Sequence, residues 1–94
     1  MVEVTLSESA WNDLDSITDY IAQDSVRYAQ EFGERIFSRI EQLKNFPNSG
    51  RIVPEFQNEQ LRELIMNNYR IVYRIYSSEL IVIIRIIHGA KLLI

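Results

Sequence analysis

LRELIMNNYRIVYRIYSSELIVIIRII, Leu61 to Ile87, decides the fold of this chain. It holds three runs rich in Ile, Val and Tyr, residues that suit a pleated, half-buried surface. The runs are Leu61 to Met66, Tyr69 to Tyr76 and Leu80 to Ile87. Asn67-Asn68 and Ser77-Ser78 separate them, and such residues favour turns. The pattern reads as a three-stranded antiparallel meander. With two residues in each loop, Met66 faces Tyr69, Ile65 faces Arg70 and Glu63 faces Val72. Across the second loop Tyr76 faces Glu79, Arg74 faces Ile81, Val72 faces Ile83 and Arg70 faces Arg85.

Alternate residues of a strand point to opposite faces, so this register sorts the side chains. One face carries Leu64, Met66, Tyr69, Ile71, Tyr73, Ile75, Leu80, Val82, Ile84 and Ile86, with Arg62 at its start, and must be covered. The other carries Glu63, Arg70, Arg74 and Arg85 among Leu61, Ile65, Val72, Tyr76, Ile81 and Ile83. Arginine suits planar recognition of carboxylate or phosphate. Two like charges opposite each other destabilise a sheet, so an Arg70–Arg85 pair calls for an anion, a carboxylate or a partner between them. The structural alternative is that Glu63 neutralises Arg70 or Arg74.

Working outward toward the amino end, Val2 to Leu6 alternates as a short strand. A helix over roughly Glu8 to Gln23 follows, capped by Ser7 or Ser9, with Trp11, Leu14, Ile17 and Ile21 as its apolar stripe. Its opposite face carries Asn12, Asp13, Asp15, Asp19 and Gln23. Asp24-Ser25 breaks this helix and caps a second, in which Ala29, Phe32, Ile36, Ile40 and Leu43 recur at helical spacing. Phe46-Pro47-Asn48-Ser49-Gly50 ends it. The expected fold is therefore α+β: a helical hairpin packed on one face of a twisted, mainly antiparallel four-stranded sheet. Its order is strand-helix-helix-strand-strand-strand, with the arginine face left open.

Ninety-four residues make one small domain, expected to span 1–94. The absence of cysteine removes disulfides and thiolate chemistry, and fits a reducing cytoplasm. No signal segment opens the chain, and Leu80 to Ile87 is too short to span a bilayer, so no membrane role is expected. One histidine and no ligand spacing give no metal site, and three glycines give no phosphate-cradling loop. No cofactor is expected. Residues 1–50 hold nine acids against four bases, and residues 51–94 six bases against four acids. That acidic balance weakens any general grip on RNA backbone. His88 is a candidate general acid or base near neutral pH, and Glu55, after Pro54, a candidate general base. The bland readings are a solvated strand-end histidine and a solvated loop acid.

Several motifs then combine. The segment DYIAQDS (Asp19 to Ser25) and FP-x-x-GR-x-VPE (Phe46 to Glu55) are followed by RE (Arg62-Glu63), YRI-x-Y (Tyr69 to Tyr73) and R-x-x-HG (Arg85 to Gly89). Together they resemble the RelE/ParE toxin family of bacterial toxin–antitoxin modules over nearly the whole chain. The resemblance implies a cytoplasmic toxin causing growth arrest, associated with plasmid stabilization, in a hetero-oligomer with a cognate antitoxin. That antitoxin would be partly disordered, fold on binding and cover the sheet face near Glu63, Arg70, Arg74 and Arg85. RelE-like members cut messenger RNA, usually on the ribosome. The resemblance gives that mRNA interferase role to Arg70 and Arg85, with Glu55 and His88 for proton transfer. ParE-like members inhibit DNA gyrase and lack a full nuclease set. The ending R-x-x-HG, with no aromatic after the histidine, resembles the ParE branch. The expectation is a ParE-like gyrase inhibitor, with a RelE-like endoribonuclease as the alternative.

Overall fold

The computed structural model describes residues 1–91 and Leu93. Its elements are β1 (Glu3–Leu6), α1 (Glu8–Ala22), α2 (Val26–Gln42), β2 (Arg51–Ile52), β3 (Leu61–Met66), β4 (Tyr69–Ile75) and β5 (Leu80–His88). The sheet has five strands in the order β1-β5-β4-β3-β2, not four. The additional strand, β2, is a two-residue edge pairing Arg51 with Glu63 and Ile52 with Arg62. It is too short for alternation to announce it. The sheet is mixed, because β1 runs parallel to β5 while the other pairings are antiparallel.

Local chemistry sets the helix ends. The Ser7 hydroxyl accepts from the Ala10 amide at 3.1 Å and donates to the Ile84 carbonyl at 3.0 Å. One side chain thus caps α1 and ties its start to β5. The Ser25 hydroxyl caps α2 through the Tyr28 amide. The stripe of α2 is buried as its spacing predicts, with Ala29, Phe32, Ile36 and Ile40 facing inward and Leu43 closing the end. In α1 the buried line is Ala10 and Leu14, with Ile17 and Ile21 packed against the core. Trp11, expected in that stripe, is 45% exposed. It lies one residue off the line and meets Phe37 of α2 at 5.8 Å between ring centroids.

The first hairpin has the expected register, from Met66 opposite Tyr69 to Glu63 opposite Val72. Asn67 adopts a left-handed conformation (φ 52°) that asparagine tolerates in a two-residue loop. The second hairpin departs from expectation twice. Ile75 faces Ile81 and the Tyr76 amide bonds the Leu80 carbonyl, so Ser77-Ser78-Glu79 forms a three-residue loop. A bulge between Val72 and Tyr73 then shifts the register again and leaves Ile84 without an opposite residue. The first slip turns Ile81 and Ile83 into the core and Leu80 and Val82 away from it. The second restores the expected faces of Arg85 and Ile86 but changes their partners. Arg70 therefore faces Ile87, and Arg85 faces Val72; the expected Arg70–Arg85 opposition does not exist.

Candidate functional site

The sheet face opposite the helices is expected to be open, yet at its centre it is closed. Glu63 is 1% exposed and Arg70 5%, and Val72 and Ile87 beside them are buried. The loop carrying Glu55 and the chain at Lys91 and Leu93 close over Arg70. Its Nε donates to Glu63 Oε1 at 2.6 Å. Its Nη1 donates to Glu55 Oε2 at 2.8 Å and to the Lys91 carbonyl at 3.0 Å, and its Nη2 to Glu55 Oε1 at 2.7 Å. Arg51 adds a second cation to Glu63, Nε to Oε2 at 2.6 Å. The result is a chain Arg51–Glu63–Arg70–Glu55 with two charges of each sign.

The electrostatics follow from those contacts. Hydrogen bonds from Arg70, with a smaller contribution from the Leu93 amide, hold the Glu55 carboxyl at about 2, against an ordinary 4.5. Hydrogen bonding to Glu55 raises the Arg70 pKa in turn. All three guanidinium nitrogens of Arg70 are already engaged, so a phosphate would have to displace a carboxylate of the chain itself.

The motif residues support this network. Gly50 lies where a Cβ would stand 2.6 Å from the Glu63 carbonyl oxygen and 2.7 Å from the Tyr73 hydroxyl. Only glycine lets the chain pass there. The buried Tyr73 hydroxyl accepts from the Gly50 amide at 3.0 Å and donates to the Pro47 carbonyl at 2.8 Å. Burial raises its pKa. Arg62 donates to the carbonyls of Glu59 and Gly50, closing the loops at either end. The FP-x-x-GR-x-VPE, RE and YRI-x-Y motifs thus meet around one buried ionic cluster.

Arg85 lies apart from it. Its Nε and Nη2 donate to the two carboxylate oxygens of Asp13 at 2.7 and 3.1 Å, which raises its pKa. Asp13 also accepts from the Ile86 amide at 2.9 Å, covering the edge of β5 where β1 has ended. Asp13, expected on the outer face of its helix, is therefore a contact to the sheet. Arg74 is exposed, with its guanidinium 5.1 Å from the Tyr76 ring centroid. His88 is exposed at the end of β5, opposite Tyr69, with ring centroids 5.7 Å apart. Its Nδ1 accepts from the Ala90 amide. Arg70 and His88 share the wall of a cavity of about 270 Å³, and Arg85 and His88 share another of about 250 Å³.

Arg70, Glu63 and Glu55 are thus brought together, while Arg85 and Arg74 stand separately. Arg51, Asp13 and Lys91 are participants that sequence reasoning did not assign. Arg51 had a signal, its place in the GR pair. Asp13 had none, since its partner lies 72 residues away.

Comparison with known proteins agrees with this architecture. A family model described as the ParE toxin of the type II toxin–antitoxin system parDE matches residues 4–93. The curated protein Toxin RelE2 of Caulobacter vibrioides is 32% identical over 92 residues, covering 98% of this chain and 100% of its own length. The solved chromosomal ParDE toxin–antitoxin system from P. aeruginosa contains a chain of the same fold. Its TM-score is 0.75 at 23% identity, over 94% of this chain and 96% of that one.

Proposed function

From the premise that this chain belongs to the ParE toxin family of type II toxin–antitoxin systems, we propose that it arrests growth by binding DNA gyrase and is neutralised by a cognate antitoxin. In this reading it breaks no bond in RNA. The observation that carries it is the enclosure of Arg70 between Glu55 and Glu63. A ribonuclease of this kind needs a free cation at the phosphate, a base for the 2′-hydroxyl and an acid for the leaving group. Arg70 is occupied by two carboxylates, and Arg85 by Asp13. Glu55, with its carboxyl held at about 2, is a poor proton acceptor at neutral pH. A binding toxin requires none of these groups to be free.

The relative named Toxin RelE2 favours the second reading, a RelE-like mRNA interferase on the same sheet. Pulse-labelling of DNA and of protein, in parallel during the first minutes after induction of this chain alone, separates the two. The gyrase reading expects DNA synthesis to fail first, with induction of the DNA-damage response. Translation failing first, with messenger RNA cut, would overturn it.

A further inference from the structure

The two edges of the sheet are finished differently. Beyond β2, the outer edge of β3 is capped by a side chain, Arg39 Nη1 on the Ile65 carbonyl at 2.9 Å. β1, at the other end of the strand order, has no such cap. The Glu3 amide bonds the Glu79 carbonyl and the Ser7 amide bonds the Ile83 carbonyl, each at 2.9 Å. Glu3, Thr5 and Ser7 therefore turn their backbone groups to β5, while Val4 and Leu6, like Val2 before them, turn theirs outward. Among the described residues no group reaches the outward amides and carbonyls of Val4 and Leu6. Asp13 covers the edge of β5 only at Ile86, past the last β1 pairing at Ile83. β1 has no lysine, proline or bulge to discourage pairing, and Glu3 is its one charge. Val2, Val4 and Leu6 lie half-buried against the core, with Glu3 and Thr5 on the opposite face.

This edge is complementary to itself in one antiparallel register. Outward backbone groups pair only with outward ones, so a two-fold axis must pass through a residue of β1. At Glu3 it would oppose two carboxylates. At Thr5 it would set Val2 against Glu8, where α1 has begun. At Val4 it sets Val4 on the partner's Val4, Val2 on the partner's Leu6 and Glu3 on the partner's Thr5. The first two pairs exchange both backbone hydrogen bonds. Their apolar side chains meet on the core face. On the other face the Glu3 carboxylate accepts from the partner's Thr5 hydroxyl, and no like charges are opposed.

We propose that the free edge of β1 is a self-association site, at which a second copy of this chain pairs antiparallel about Val4 and continues the sheet across both copies. The pairing is isologous, so it closes as a dimer. It leaves the Arg70 cluster and the Arg39-capped edge of β3 untouched. The inference does not depend on whether the chain acts on gyrase or on RNA.

Sedimentation velocity of the full chain over a range of concentrations tests it. The expected result is a monomer–dimer equilibrium that strengthens as salt rises, because each copy carries a net charge of −3. Val4→Pro removes an outward amide and keeps every bond to β5, and proline is tolerated on an edge strand. It should weaken the dimer by at least about tenfold. Thr5→Glu opposes the partner's Glu3 and should weaken it about tenfold. The chain has no cysteine, so cross-linking reads the register. Glu3 and the partner's Thr5 form a non-hydrogen-bonded pair, with Cα atoms about 4.5 Å apart and within disulfide reach. Mixed and oxidised, Glu3→Cys and Thr5→Cys chains should cross-link to each other and neither to itself. A monomer at every concentration, association that weakens as salt rises, undiminished association in folded Val4→Pro and Thr5→Glu chains, or Glu3→Cys cross-linking to itself as readily would each overturn the proposal.

Discussion

Arg70 meets Glu55 through two parallel hydrogen bonds, Nη1 to Oε2 at 2.8 Å and Nη2 to Oε1 at 2.7 Å. This pair makes acid stability predictable. The folded carboxyl titrates at about 2 and the free one at 4.5. A depressed folded pKa contributes stability above the unfolded value, and that contribution is lost as pH falls through the folded value. The stability gap between the parent and Glu55→Gln should be full at neutral pH, narrow from about 4.5 downward and close near 2. Denaturant midpoints across that range check it; a gap independent of pH would mean that Glu55 and Arg70 are not coupled.

Arg70→Ala should behave as a folding variant. It leaves Glu63, 1% exposed, with only Arg51 as a cation. Breaking a buried pair from one side costs about 3–5 kcal/mol. Arg70→Met combined with Glu63→Gln removes the stranded charge and should recover most of that loss, because well-packed neutral replacements of buried ion pairs are often tolerated. Urea unfolding of the single and double variants gives the comparison. Loss of toxicity in Arg70→Ala alone is therefore no evidence of catalysis.

Two glycines should respond with opposite sign. At Gly50 an added Cβ meets backbone at 2.6 Å, so Gly50→Ala should destabilise by about 1–3 kcal/mol. At Gly33, inside α2, nothing lies within 4 Å of the added atom. Gly33→Ala should stabilise by about 0.5–1 kcal/mol through helix propensity. Thermal melts of the two variants read both signs directly.

Asp13 allows its two roles to be separated. Its ion pair with Arg85 is partly solvated, the arginine side chain being 39% exposed, and after screening is worth less than about 1 kcal/mol. Asp13→Asn keeps an acceptor for the Ile86 amide and should cost little. Asp13→Ala strands that amide at the edge of β5 and should cost about 1–3 kcal/mol. Equal losses in the two variants would assign the whole effect to the charge.

How far the sequence could be read is clear at the two hairpins. Asn67-Asn68 fixed the first register because a two-residue loop leaves no freedom between Met66 and Tyr69. In the second, Ser77-Ser78 marked the turn but not its length, and the bulge at Ile84 carries no composition signal. Each adds one residue, and a one-residue slip exchanges the faces of a strand. That is why Ile81 and Ile83 were expected outside and lie in the core. It is also why Arg85 was set opposite Arg70. The acids were the harder part. Glu63 was legible as the neutraliser of an arginine, because it shares a face with Arg70 across a known register. Glu55 reaches Arg70 from a loop and Asp13 reaches Arg85 from a helix, and neither approach leaves a periodic trace.

His88 gives the sharpest functional discrimination, because it is the one proton-transfer candidate not tied into an ion pair. The side chain is exposed, packs against Tyr69 and accepts one hydrogen bond from Ala90. Its removal should leave the Arg70 cluster intact, so His88→Ala should fold like the parent. If the chain acts by binding gyrase, the variant still arrests DNA synthesis at a comparable expression level. If it cuts RNA with His88 as acid or base, the loss is about 10²–10⁴-fold in cleavage and growth arrest disappears with it. Induction of the variant, with near-ultraviolet circular dichroism as the folding check, reads the difference. Messenger RNA cleavage by the parent that is lost together with arrest in a folded His88→Ala chain would remove the binding-only mechanism; arrest lost with no RNA cut by the parent would instead place His88 on the binding surface.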